Sequence, residues 1–438
     1  MTKLRALWHR TVDSLWFLPA VMTFTGGVLA ILLIRFNDDI LGDVEPQDLW
    51  WLFGGSAEGA QGVLGAIAGS IMTVTGVVFS VTIVALQLAS SQFTPRVLRT
   101  FTADRANQVV LGVFIGTFTY TLIVQRTLRS ETDGMDAFVP NVAVTGAVVL
   151  ALTSIGFLIF FINHAARAIQ ASVIIDAVAR DTLRVVANVF PERRIKPDAA
   201  PPIDVAASLE GEWCPVLTRK AGYIQDVDTA HLADLARRHQ VTIRTEHEVG
   251  LYVLPGQALA AIWPAADARD IDAEILDAFV LGFERTPHRD VKLGVVELMD
   301  IAVKALSPSV NDPTTALNAI ERLGEVLLEL AWRKRGDDVE TEGGRVLVIR
   351  RLPTLADTVD LAFNQVRRFA ADNPSVSIRL MDTLADLAVL APADSRAPFI
   401  EHLLAVKQSA ELAISDPGDL VRVSNVASRA LARANAAA

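Results

Sequence analysis

Between Val63 and Ser90 the chain reads VLGAIAGSIMTVTGVVFSVTIVALQLAS, without one Asp, Glu, Lys or Arg. An α-helix rises about 1.5 Å per residue, so roughly 20 apolar residues cross a hydrocarbon core about 30 Å thick. The stretch sits inside a charge-free run bounded by Glu58 and Arg96 and is long for a single crossing. Leu15–Ile34, Gln108–Gln125 and Phe138–Asn163 also qualify, the third span being the shortest. The sequence therefore predicts a membrane protein with four transmembrane α-helices in residues 1–164, for which the lipid bilayer is the expected partner. Composition agrees: 51% of the 438 residues are hydrophobic and mean hydropathy is positive, more apolar than a soluble protein of this size tolerates.

The second span carries a stripe. Gly69, Thr73, Gly76, Ser80, Gln87 and Ser91 recur at helical spacing, while Ile, Val, Leu and Phe fill the other faces. Small residues let helices approach closely and hydroxyls bond across the contact; alternatively, a polar face lines a wet pathway for an ion or small solute. In the second reading Val77, Val84 or Leu88 would form apolar constrictions. One helix cannot enclose a pore, so that reading requires a homo-oligomer. Gly112 and Gly116 of the third span form a GxxxG pair, a packing surface for which the second span is the expected partner. Pro19, Gly26 and Gly27 predict a kink or a tight contact in the first span.

Orientation follows from the basic residues, which concentrate in short cytoplasmic segments. Lys3, Arg5 and Arg10 precede the first span, Arg96, Arg99 and Arg105 separate the second and third, and Arg167 and Arg180 follow the fourth. The segment from Phe36 to Ala60 carries six acidic residues and no basic one. Both termini are therefore expected in the cytoplasm, with Arg96, Arg99 and Arg105 at the inner membrane surface, placed to neutralise lipid phosphates, to exclude cations or attract anions, or to pair with Asp104 and groups of the soluble domain.

After the spans the pattern becomes charged and amphipathic. Residues 165–202 read as a helix continuing the fourth span, then a Pro-rich linker; 203–266 as a small β-containing module; 267–438 as a helical bundle. In the module, strands are expected at Trp213–Thr218 and Val241–Arg244, with Gly250–Val253 and Ala258–Trp263 paired around Pro255-Gly256. The first helix of the bundle is expected at Ala268–Phe283. The fold class is thus four spans plus a cytoplasmic α+β domain. Within the bundle, Ser307-Pro-Ser-Val-Asn311-Asp312-Pro313 reads as a polar turn and helix cap. Its other reading is a polar site for an ion, a headgroup or a neighbouring subunit.

Several classes are excluded. Beyond residue 164 the chain holds 31 Lys and Arg against 39 Asp and Glu with no basic block, so nucleic acid has no electrostatic footprint. Cys214 is the sole cysteine, and His231, His239 and His247 lack metal-ligand spacing, so neither metal nor cofactor is expected. No P-loop, GxSxG or kinase-type motif appears, and an enzyme is not expected.

Ser91-Gln-Phe-Thr-Pro-Arg96, Gly112-Val-Phe-Ile-Gly-Thr-Phe-Thr-Tyr120 and Ala305-Leu-Ser-Pro-Ser-Val-Asn-Asp-Pro-Thr-Thr-Ala316 resemble, in this order, the bacterial predicted membrane proteins of the domain-of-unknown-function family DUF2254. The resemblance covers nearly the whole chain and implies a bacterial inner-membrane protein; it brings no activity and no functional residues. Two expectations follow from the residues themselves: a homo-oligomeric channel gated by its cytoplasmic domain, or a membrane-anchored scaffold or signalling protein without transport.

Overall fold

A computed structural model describes residues 14, 16–37, 49–92, 104–130, 138–193, 209, 211–265, 271–333, 339–342 and 345–437. The described chain divides after Gln170 into two compact units. The Pro-rich segment, the basic amino terminus and most of the acidic loop between the first two spans lie outside the described residues.

Among its described residues the first unit has four helices: α1 (Phe17–Arg35), α2 (Ala57–Gln92), α3 (Arg105–Thr127) and α4 (Asn141–Ala168). All four are long and apolar enough to cross a membrane. α2, with 36 residues, is about 54 Å long. α1 and α3 approach most closely. A Cβ on Gly26 would meet the Gly116 carbonyl oxygen at 2.7 Å, and one on Gly112 would meet Met22 Sδ at 2.5 Å. The GxxxG pair of α3 thus serves α1, correcting the expectation that α2 is its partner. The reason lies in sequence: α1 supplies Gly26 opposite Gly116, whereas the glycines of α2 at 62, 69 and 76 face open space.

α4 docks on α3 through polar contacts inside an apolar setting. Tyr120 donates to the Ala143 carbonyl at 2.7 Å, and the Thr117 and Ser154 hydroxyls lie 3.2 Å apart. The start of α4 is capped by Asn37, whose Oδ1 accepts from Val142 N at 3.1 Å. Asp104 caps α3 and meets His164 Nε2 at 2.5 Å. Ile169 and Gln170 are not helical, so α4 does not continue into α5 (Ala171–Val189), contrary to expectation.

The second unit is mixed. Its strands are β1 (Cys214–Leu217), β2 (Gly222–Val227), β3 (Thr242–Thr245), β4 (Tyr252–Val253), β5 (Ala258–Trp263), β6 (Phe279–Gly282), β7 (Val339–Glu342) and β8 (Arg345–Ile349). They form one sheet of order β1-β5-β3-β8-β7 and another of order β4-β2-β6. Among the described residues only the β3–β8 pairing is parallel. The expected β4–β5 hairpin is not formed, because the two strands belong to different sheets. The expected helix at 268–283 is, among the described residues, a short α7 (Asp272–Asp277) followed by β6. Nor is the region after 267 purely helical, since β6, β7 and β8 complete the sheets. β8, with the sequence RVLVI, buries Leu347, Val348 and Ile349 in succession. A strand covered on both faces shows no alternation, so its sequence carries no period to read.

Helix α6 (Thr229–His239) lies against β3 and β8. The bundle comprises α8 (Val291–Ala305), α9 (Pro313–Ala331), α10 (Leu355–Ala370), α11 (Pro374–Leu390), α12 (Ala397–Ala413) and α13 (Pro417–Ala437), with α5 packed on α8 and α9. Asp290, Asp312, Thr354 and Asn373 cap α8, α9, α10 and α11 by accepting first-turn N–H groups.

Replacing Gly26 by Val should lower the stability of the detergent-solubilised protein by about 1–3 kcal/mol, because α1 and α3 must separate. Gly69→Ala meets open space and should leave it nearly unchanged. Thermal unfolding of the two variants checks the contrast.

Candidate functional site

The stripe of α2 is laid out as its spacing demands. Ala60, Leu64, Ala68, Ile71, Val78 and Thr82 are buried, and four of them share apolar clusters with Tyr120, Val124, Val110 and Phe114 of α3. At about 100° per residue, Gly69, Thr73, Gly76, Ser80 and Gln87 fall on the opposite side, and all five are exposed. Val77, Val84 and Leu88 are exposed on the same flank. Thr73 satisfies its own hydroxyl by donating to the Gly69 carbonyl at 2.9 Å. The Gln87 amide bonds no described residue. Ser91 lies in the last turn of the helix, with its side chain outside the description, as are Arg96 and Arg99. Arg105 opens α3 and is exposed.

In the 307–312 turn, Ser307 donates to the Lys304 carbonyl at 2.6 Å, and Asn311 is exposed in the left-handed region with φ 47°. Asp312 spends its carboxylate on the cap: Oδ1 accepts from Thr315 N at 3.1 Å and Oδ2 from the Thr315 hydroxyl at 2.5 Å. Its oxygens are therefore engaged within the chain.

The second unit contains a cavity of about 150 Å³ whose lining includes Val227, Thr229, Thr245, His247, Arg289, Val291, Lys292, Arg350 and Arg351. Topology explains this convergence. The parallel β3–β8 pairing, with Arg244 opposite Ile349, ends both strands at the same edge. Thr245 Oγ1 accepts from the Arg351 backbone N–H at 2.8 Å. Val227 ends β2, Thr229 begins α6, and Val291 and Lys292 begin α8. Carboxyl ends of strands and amino ends of helices thus face one space, the arrangement in which open α/β sheets hold ligands.

A buried carboxylate anchors the rim. Asp290, 1% exposed, caps α8 and takes two bonds of 2.7 Å from Arg285. Burial disfavours the Arg285 charge, but hydrogen bonding and the charge of Asp290 outweigh it, and its pKa is raised. Gly250, at φ +97°, passes over this carboxylate, and a Cβ there would collide with it. Lys292 is held by Glu248 at 2.5 Å, and Arg289 by Asp226 at 3.3 Å and the Val227 carbonyl at 3.2 Å. The Arg351 guanidinium has no ion-pair partner among the described residues. A second cavity, beside Asn318 and Glu321, differs: its Arg322 is already bound by Asp176 at 2.8 Å and Glu325 at 2.6 Å.

The family described as "Predicted membrane protein (DUF2254)" matches residues 12–386. The chain belongs to this family. Uncharacterized proteins of Mycobacterium tuberculosis and Mycobacterium bovis are 33% identical to it over 446 residues, covering 98% of this chain and 82% of theirs. No solved structure matches it. For this DUF2254 member, sequence reading singled out the stripe and the 307–312 turn but missed the cavity. Its basic residues, His247, Arg289 with Lys292, and Arg350 with Arg351, come from three separate segments; only the Arg350-Arg351 pair directly after an apolar run hinted at it.

Asp290→Ala removes a helix cap and strands a half-buried guanidinium. It should cost about 3 kcal/mol, seen as a lower unfolding midpoint, with Asp290→Asn losing less.

Proposed function

We propose that the chain is a multi-pass membrane protein that assembles from several copies around the polar flank of α2, forming a conduit for an ion or small solute. The carrying observation is the outward direction of Thr73, Ser80 and Gln87, away from the other helices of the same chain. An amide facing hydrocarbon without a partner costs roughly 2–7 kcal/mol, so this flank favours water or another copy over lipid. The absence of charge along α2 between Glu58 and Gln92 suits passage, since no fixed charge traps an ion. Val77, Val84 and Leu88 lie where apolar constrictions would close the path. Basic residues before α1, between α2 and α3, and after α4 favour a cytoplasmic location for both termini and for the second unit.

Purified protein reconstituted in planar bilayers should conduct, and Ser80→Asp should shift selectivity toward cations by adding one carboxylate per copy. Light scattering of the detergent-solubilised particle should give more than one chain. Wild type and Ser80→Asp both behaving like empty bilayers would remove the conduit.

A further inference from the structure

The cavity at the ends of β2, β3 and β8 asks for a ligand of its own, independently of any pathway through α2. No Asp or Glu is among its lining residues, whereas His247, Arg289, Lys292, Arg350 and Arg351 are. The carboxylates nearby, Asp226, Glu248 and Asp357, stand against Arg289 and Lys292 and fix their direction. Arg351 receives no such carboxylate among the described residues. The starts of α6 and α8 border the cavity, but their first-turn N–H groups are already answered by the Asp228 and Asp290 carboxylates, which leaves the Thr229 hydroxyl and the cationic side chains as the groups turned to a ligand.

This chemistry excludes a metal cation: no described group of three or more His, Cys, Asp or Glu could hold one. It favours an anion with several acceptor oxygens, for which guanidinium forks are matched partners. Size narrows the choice. A cavity near 150 Å³ holds about a benzene-sized group, enough for a phosphate and a few carbons but not a whole nucleotide. Val189, Val227, Val249, Leu352 and Pro353 offer apolar wall for those carbons.

We infer that this cavity binds a small organic phosphate monoester, its head between Arg350, Arg351, Lys292 and the start of α6, and its short carbon body against Val189 and Leu352. The same headgroup chemistry exists in soluble metabolites and in phosphatidic acid, and the test separates them.

Isothermal titration of the full chain in detergent uses sn-glycerol 3-phosphate, inorganic phosphate, glycerol and dihexanoyl phosphatidic acid. Saturable binding of glycerol 3-phosphate, one per chain, with glycerol silent, is expected. Arg351→Glu should weaken it by at least about tenfold, or 1.4 kcal/mol, without moving the unfolding midpoint of the ligand-free protein. Arg184→Glu, an exposed charge reversal on α5, should change nothing. Should Arg351→Glu unfold, Arg351→Gln removes the charge more gently and should still weaken binding. Arg351-dependent binding of phosphatidic acid alone would keep the phosphate site and assign its source to lipid. No saturable binding of any phosphate, or equal binding by the Arg351 variants, overturns the inference.

Discussion

At Gly26 and Gly116 two helical backbones lie so close that a single methyl group would meet a carbonyl oxygen at 2.7 Å. Among helices whose surfaces are all apolar, such close contact is what sets one pairing above another, because aliphatic side chains alone do not distinguish one neighbour from the next. Once α1 occupies the glycine surface of α3, α4 takes the flank offering Tyr120 and Thr117, and α2 is left with aliphatic contacts along one side. The uncovered polar flank of α2 is a by-product of that order.

The second unit rests on a different device. Asp290 ends a loop, starts α8, fixes Arg285 and lies under the Gly250 backbone, so one carboxylate coordinates two sheets' worth of connections with the bundle. Arg285 and the Leu293 N–H donate to its two oxygens, which satisfies the carboxylate although it is buried. The same helix start then directs Lys292 toward the cavity.

How much of this was legible in the sequence depends on period. The four apolar helices were readable from length and charge alone, each within six residues of its observed ends, because long apolar runs with few charges leave few alternatives. The stripe on α2 was readable from spacing, though not which helix would take the glycines of α3. The helix start at Asp312 announced itself through a capping residue with Pro next after it. The sheets were less visible: β8 is short and uniformly apolar, β6 hides in a helix-like window, and β4 and β5 are neighbours in sequence but not in a sheet. The cavity was invisible because its parts meet only through the β3–β8 pairing, which joins distant segments.

That pairing also imposes a timetable. Ile243 aligns with Val348, so β3 must wait for the synthesis of about a hundred further residues before its partner leaves the ribosome, and closing so long a loop is slow. The basic pocket therefore exists only in chains completed past Pro353. A ligand that settled there would favour chains that have passed Pro353 over shorter ones.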